Sequence, residues 1–183
     1  MRIVAGRHRG RLLQPPAGRD IRPTSDRARE GLFNMLEHGG FGAGGASIVE
    51  GATVLDAFCG TGALAFEALS RGAAAATLMD INTAALEAVR DTARMLGESD
   101  RVAVVAKDAT APGPAPRAHG LVFLDPPYDS AAAVPALVAL VRDGWLAPGA
   151  IPAKGSLPEL PEGFAALRER RYGAARMLIA RAR

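Results

Sequence analysis

The residues best suited to chemistry follow a run of four apolar residues, Leu121 to Leu124. They are Asp125, Pro126, Pro127 and Tyr128. An exocyclic base amine is a poor nucleophile because its lone pair is delocalised into the ring. If the Asp125 carboxylate and the Pro126 carbonyl accept its two hydrogens, the nitrogen can pyramidalise and direct that lone pair at an electrophilic methyl group.

The two prolines of this tetrapeptide restrict the backbone, so the oxygen acceptors are already aimed before a base binds. The Tyr128 ring offers a flat face on which a flipped base can stack. We therefore predict that all four residues are catalytic. The alternative is a simple turn that ends a strand, since Asp-Pro begins many turns.

A second group of residues follows an earlier apolar run and reads Asp56-Ala57-Phe58-Cys59-Gly60-Thr61-Gly62. This pattern predicts a strand, a tight glycine turn and the start of a helix, with the backbone free to approach a ligand closely. A nicotinamide enzyme fits the same pattern, because Ala65 stands where a dinucleotide fingerprint has its third small residue. Cys59 is predicted to be a small packed residue, since no basic neighbour favours its thiolate.

Electrostatics favours S-adenosylmethionine over a dinucleotide at this turn. Asp56 would repel a pyrophosphate but attract an ammonium and a sulfonium group. Asp80 ends the next predicted strand, where a carboxylate can bind both ribose hydroxyls, and Asp108 follows the third strand, where it can meet the adenine amine. The predicted cofactor contacts are Asp56, Phe58, Gly60, Thr61, Gly62, Asp80, Ile81 and Asp108.

Short apolar runs alternate with longer Ala- and Leu-rich stretches of helical spacing, which predicts a doubly wound α/β sheet. The predicted strands are Thr53–Ala57, Ala76–Asp80, Arg101–Lys107 and Gly120–Asp125. The predicted helices between and after them are Ala63–Arg71, Thr83–Leu96 and Ala131–Arg142.

A separate piece precedes this core and is predicted to be a small hairpin followed by a helix. Arg2–Ala5 and Gly10–Leu13 can pair, and Thr24 or Ser25 can cap a helix that runs to Glu37. Residues 39–46 form a Gly-rich connector. We expect one methyltransferase domain over residues 1–183, with the basic hairpin and helix in 1–38 and the catalytic core in 53–183.

The arginines are concentrated at the two ends of the chain, although the net charge is only +3. Residues 1–30 hold eight arginines against three acids, residues 168–183 hold six against one, and residues 31–167 hold eight basic and fifteen acidic side chains. Guanidinium groups make bidentate contacts with phosphate. These ends therefore suggest a nucleic-acid partner, the alternative being solvated surfaces that reflect only composition.

Composition excludes several other kinds of protein. One cysteine and three histidines without ligand spacing predict neither a disulfide nor a metal site. No apolar run approaches the roughly 20 residues of a membrane span, and the first residues do not read as a signal peptide. The expected location is cytoplasmic, and the expected state is a monomer.

Together with the two motifs, the opening residues make the chain resemble the RsmD family of 16S ribosomal RNA guanine-N2 methyltransferases. The blocks that carry this narrower resemblance are residues 2–11 and 22–36. It implies a class I methyltransferase fold, Rossmann-like, with seven mostly parallel strands and helices on both faces. It also implies a guanine substrate within a 30S particle or an assembly intermediate. The RNA contacts that it implies are Arg7, Arg9, Arg11, Arg22, Thr24, Arg27 and Arg29.

Two positions depart from the family pattern. Pro152 removes a ladder donor from the expected fifth strand, which predicts a short or irregular strand. Asn82 stands where the family commonly has a second acid.

Three other functions stay open at this level. A DNA adenine-N6 methyltransferase uses the same tetrapeptide, although the sixteen residues between Asp108 and Asp125 leave no room for a target-reading insertion. A nicotinamide oxidoreductase fits the glycine turn alone. A noncatalytic RNA-binding assembly factor fits the fold and the charge.

Overall fold

The computed structural model describes residues 1–13, 26–126, 131–154, 160–172 and 175–182. The described helices, including two short 3-10 turns, are α1 Asp26–His38, η1 Ala43–Gly45, α2 Ala63–Ser70, α3 Thr83–Leu96, η2 Ser99–Arg101 and α4 Ala133–Arg142. The strands are β1 Thr53–Asp56, β2 Ala75–Asp80, β3 Val102–Ala106, β4 His119–Leu124, β5 Leu146–Lys154, β6 Phe164–Tyr172 and β7 Ala175–Ala182. Every predicted core element is present, with ends within two residues of those predicted.

The seven strands form one sheet in the order β3-β2-β1-β4-β5-β7-β6. β1 pairs in parallel with β2 and β4, β2 with β3, and β4 with β5. β7 runs antiparallel to both β5 and β6. The strand order reverses beside β1, which confirms the predicted doubly wound, mostly parallel sheet.

β5 is irregular, as predicted, but it is not short. The register between β4 and β5 shifts between His119 and Leu121. Pairing of β5 with β7 begins at Ala153, directly after Pro152, which cannot donate to that ladder.

Apolar side chains alternate between two faces of the sheet, and each face is covered by helices. Leu55, Met79 and Val122 lie on the face packed by α4. Phe123 lies on the other face, where its ring is 5.6 Å from that of Phe33 in α1. None of the described helices is long and apolar enough to cross a membrane. No cluster of His, Cys, Asp or Glu suited to a metal occurs in the described ranges.

The first residues form the predicted hairpin in a minimal version and pack along α2. An antiparallel bridge joins Arg2 to Leu12. The backbone N–H groups of Val4 and Ala5 donate to the two carboxylate oxygens of Glu67 at 2.8 and 3.0 Å. The Ser70 hydroxyl donates to the Ala5 carbonyl at 2.5 Å. The hairpin is thus attached to the catalytic core by the C-terminal half of α2.

Glu67 also links α1 to the core through a buried ion-pair network. It is fully buried and accepts a hydrogen bond from Arg71 Nε at 2.8 Å. Arg29 of α1 is 0% exposed, and its Nε lies 3.5 Å from the other Glu67 oxygen. The prediction that Arg29 contacts RNA therefore needs correction, because its guanidinium group is enclosed and also donates to the Arg2 carbonyl.

We predict that Glu67→Gln destabilises the protein by about 3 kcal/mol, because it removes the buried counter-charge of the enclosed Arg29 guanidinium, whose other acidic partner, Asp26, is exposed. Urea unfolding followed by circular dichroism measures the effect. Glu87→Gln, on the exposed surface of α3, is the matched control and should change the free energy of unfolding by less than about 0.5 kcal/mol. A loss below about 1 kcal/mol for Glu67→Gln would contradict the role of this network.

Candidate cofactor and catalytic site

The glycine turn after β1 is held between the two neighbouring strands. The Ala57 N–H donates to the Phe123 carbonyl of β4, and the Cys59 N–H donates to the Met79 carbonyl of β2, both at 3.0 Å. The Gly62 N–H closes the turn by donating to the Cys59 carbonyl at 2.7 Å. The turn therefore lies at the edge of the sheet where Asp80 ends β2 and Asp125 follows β4.

Asp80 is tied to this turn by direct hydrogen bonds. One carboxylate oxygen accepts from the Gly60 N–H and the other from the Asn82 N–H, both at 2.9 Å. Each oxygen keeps a further lone pair with which it can accept a ribose hydroxyl. The Asn82 side chain accepts from the N–H groups of Ala84 and Ala85, so it caps α3 without adding a second negative charge.

Asp56 lies deeper than the sequence predicted. It is only 2% exposed, and its carboxyl group accepts from the Ala65 N–H in the first turn of α2 at 3.3 Å. The pKa of Asp56 is raised to about 8, mainly by burial; the hydrogen bond from Ala65 lowers the pKa, and the nearby charges of Asp125 and Asp80 contribute to the rise. Without a cationic ligand, this carboxyl group is therefore mostly protonated at pH 7.

Gly60 and Gly62 serve different purposes in the turn. Both have positive φ, +50° and +74°, which disfavours any residue with a Cβ. A methyl group at Gly62 would lie 2.7 Å from Leu78 Cδ2 and 2.8 Å from Phe66 Cε2, so the core excludes it. A methyl group at Gly60 would meet no atom within 4 Å beyond the adjacent residues. Gly60 therefore borders open space in which a ligand can approach the backbone.

The remaining predicted cofactor residues lie in this turn or follow β2 and β3 at the same edge of the sheet. Ile81 is 73% exposed directly after Asp80, an uncovered apolar surface suited to a flat ring. Asp108 is exposed two residues after β3, and its carboxylate accepts from the N–H and the hydroxyl of Thr110. Phe58 is half-buried and Thr61 is buried. Three strand tips thus supply Asp56, Asp80 and Asp108, as predicted.

Asp125 and Pro126 follow β4 directly and are half-buried. β1 and β4 are parallel neighbours, with Asp56 paired to Phe123, so Asp56 and Asp125 share this edge of the sheet. Pro127 and Tyr128 lie outside the described residues.

Cys59 is buried, and burial raises the pKa of its thiol, as do the charges of Asp56 and Asp80. The thiol is therefore protonated and unsuited to attack a base ring.

Arg7 and Arg9, at the tip of the hairpin, lie far from the glycine turn. Met1 contacts Thr61 of the turn, whereas Arg7 and His8 donate backbone N–H groups to Ser70 at the other end of α2. The eight residues of α2 span about 12 Å, so the hairpin tip, residues 6–10, lies near the opposite edge of the sheet. Arg9 and Arg11 are exposed, and Arg7 is half-exposed and ion-paired with Glu98. Arg22 and Thr24 lie outside the described residues.

Comparison with known proteins identifies the family and the fold of this chain. A family model described as "Conserved hypothetical protein 95" matches residues 1–181. The "Ribosomal RNA small subunit methyltransferase D" of Escherichia coli K12 is 34% identical to this chain, in an alignment of 185 positions that covers 94% of this chain and 85% of that protein. This chain belongs to that family. The protein of the same description from Haemophilus influenzae is 33% identical, over 82% of this chain and 76% of that protein.

A solved structure from Escherichia coli, described as "Putative methyltransferase yhhF", has a TM-score of 0.81 and 31% sequence identity. The match covers all of this chain and 97% of that one. The chain is therefore a methyltransferase with the class I, Rossmann-like fold.

We predict that Gly60→Ala lowers the affinity for S-adenosylhomocysteine at least about tenfold, because the added methyl group occupies the open space that borders the turn. Calorimetry measures the affinity. Gly144→Ala is the matched control, since Gly144 also has positive φ and open surroundings. It should carry the same backbone strain of about 1 to 2 kcal/mol and bind normally. Normal binding by Gly60→Ala would show that the ligand lies elsewhere.

We also predict that affinity for S-adenosylmethionine rises with pH from about 6 and levels off above the Asp56 pKa of about 8. A cation favours ionised Asp56, so binding lowers that raised pKa and releases a proton. The protonated side chain below pH 8 must lose this proton on binding, which costs affinity there. Calorimetry in buffers of different ionisation enthalpy counts the released protons. Asp56→Asn should release none from this position, and an unchanged release would assign the proton to another group.

Proposed function

We propose that this methyltransferase transfers the methyl group of S-adenosylmethionine to the exocyclic N2 amine of a guanine in small-subunit ribosomal RNA. The observation that carries the proposal is the position of Asp125 and Pro126 directly after β4. These two residues follow β4, and β4 holds the glycine turn by the hydrogen bond from the Ala57 N–H to the Phe123 carbonyl. A base amine held at the β4 tip is thereby brought to the edge of the sheet that bears the cofactor residues.

When bound, S-adenosylmethionine supplies a methyl group on a positively charged sulfur, which leaves as a neutral thioether. The residues of the chain fit this cofactor by their chemistry. Asp80 retains acceptor capacity for ribose hydroxyls, Ile81 exposes an apolar surface for the adenine, and Gly60 leaves room beside the backbone. Asp56 supplies a negative charge that becomes available when a cation enters.

Asp125 and the Pro126 carbonyl activate the amine in this proposal. Acceptors fixed on the two amine hydrogens favour the pyramidal nitrogen, whose lone pair then forms the new bond to carbon as the carbon–sulfur bond breaks. The nitrogen becomes positively charged in this step, and a nearby carboxylate stabilises that charge. One amine proton then leaves to water. Pro127 and Tyr128 are proposed to complete the site by stiffening the turn and stacking on the base.

The relatives support ribosomal RNA as the substrate, because those from Escherichia coli and Haemophilus influenzae are described as small-subunit ribosomal RNA methyltransferases. We propose a 30S particle or an assembly intermediate as the form that is bound, which places the activity in the cytoplasm. The monomer is the proposed active form. Residues 1–38 are proposed to contact RNA, with Arg9, Arg11 and Arg27 as exposed candidates in the described part.

Methyl transfer from labelled cofactor to extracted 16S RNA, 30S particles and duplex DNA tests this function. We expect incorporation into RNA or particles, and at least about a hundredfold lower kcat for Asp125→Ala, because the variant loses an acceptor in the transition state. Its affinity for S-adenosylhomocysteine should be retained. Asp91→Asn, exposed on α3, is the control and should be fully active. Incorporation only into DNA would overturn the proposal, as would an Asp125→Ala variant of normal activity.

A further inference from the structure

A basic cleft lies between α1 and the edge strand β6, away from the hairpin tip. Its volume is about 670 Å³. Its basic lining residues are Arg27 and His38 from α1 and Arg168, Arg170 and Arg171 from β6. Glu30 is the acidic side chain among the described lining residues. The cleft brings together the two arginine-rich ends of the chain.

The register of the sheet places the β6 arginines at the edge where Asp80 ends β2 and Asp125 follows β4, called the catalytic edge below. Phe123 of β4 is paired with Ala153, Ala153 with Ile179, and Ile179 with Arg168. The same ladder sets Glu169 level with Leu124. One residue further on, Arg170 is therefore level with Asp125. Three strand spacings separate β6 from β4, which is about 14 Å.

On the other wall of the cleft, the N-terminal end of α1 also lies toward the catalytic edge. Arg29 of α1 lies beside Glu67, and Glu37 pairs with Arg71 at 2.5 Å, so α1 runs parallel to α2. Since α2 begins at the glycine turn, the Arg27 end of α1 is the end nearer to that turn. Arg27 and Arg170 thus mark the mouth of the cleft at the catalytic edge, whereas the hairpin tip is near the opposite edge.

We propose that this cleft binds the phosphates of the RNA strand that flanks the target guanine. The inference rests on the proposed function and adds the surface that positions the substrate. Guanidinium groups match phosphate oxygens in a bidentate geometry, and phosphate contacts fix the register of a nucleic acid without reading its sequence. The cleft would thereby hold the strand while the base reaches Asp125.

The charges of the cleft are available for such a partner. Arg27, Arg170 and Arg171 are exposed, and no ion pair within the described part of the chain involves them. The Arg168 guanidinium lies 5.3 Å from the centre of the Phe41 ring, a cation–π contact that orders it on the cleft wall. Arginines on an edge strand can also prevent pairing with another sheet, and that protective role predicts unchanged RNA binding after their removal.

The test uses the double variant Arg27→Gln/Arg170→Gln, which removes one charge from each wall. Binding to a short, fluorescein-labelled, single-stranded RNA of mixed sequence is followed by anisotropy between about 50 and 200 mM salt. We expect about tenfold weaker binding at the lowest salt, and a slope of log K against log salt that is smaller by about 1.4, or about 0.7 per lost phosphate contact. Arg27→Lys/Arg170→Lys keeps the charge and should retain the slope.

Arg90→Gln/Arg117→Gln is the matched control, because both arginines are exposed outside the cleft. It should bind RNA like the parent protein, and all variants should keep their affinity for S-adenosylhomocysteine. An unchanged slope for the cleft variant, or an equal loss in the control, would overturn the cleft proposal. Failure of the proposed function has a different signature: the parent binds RNA through the cleft but transfers no methyl group to 16S RNA or 30S particles.

Discussion

The glycine turn after β1 is pinned by backbone hydrogen bonds to the strands on either side, and the positions of all proposed site residues depend on this attachment. The bond from Ala57 to Phe123 joins the turn to β4, and the bond from Cys59 to Met79 joins it to β2. Parallel strands end at the same edge of a sheet, so these bonds bring the turn between Asp80 and Asp125. The proposed cofactor and base sites are thereby neighbours, although about seventy residues of sequence separate their motifs.

Two buried acids, Glu67 and Asp56, have opposite electrostatic surroundings. Glu67 is compensated by Arg71, Arg29 and two backbone N–H groups, and it holds the hairpin and α1 onto the core. Asp56 is buried beside other acids, and the raised pKa keeps it mostly neutral until a cation arrives. The first arrangement serves the fold. We propose that the second serves a positively charged ligand, because ionised Asp56 would then gain an interaction that the free protein lacks.

The order of the core elements could be predicted from the sequence because buried strands and amphipathic helices have distinct apolar periods. The acids at the strand tips followed from the same reasoning, since a parallel topology fixes which ends of strands meet. The depth of Asp56 could not be predicted, because it depends on the first turn of α2 folding over the carboxyl group. The enclosure of Arg29 likewise depends on α1, α2 and the hairpin meeting at Glu67.

The basic cleft also could not be predicted from the sequence. The arginine count of the C-terminal segment was visible, but β6 reaches the catalytic edge only through its pairing with β7, which reverses direction beside β5. The basic motif of the hairpin can be predicted from the sequence. Its distance from the glycine turn cannot, because that distance depends on the direction in which the hairpin runs along α2.

The most direct measurement of the central claim is nucleoside mass spectrometry of small-subunit RNA after incubation with the protein and S-adenosylmethionine that carries a deuterated methyl group. The account predicts deuterated N2-methylguanosine in the digested RNA. Deuterium in N6-methyladenosine, or in a ring-carbon methyl group, would contradict the assignment of a guanine N2 amine as the substrate of Asp125 and Pro126.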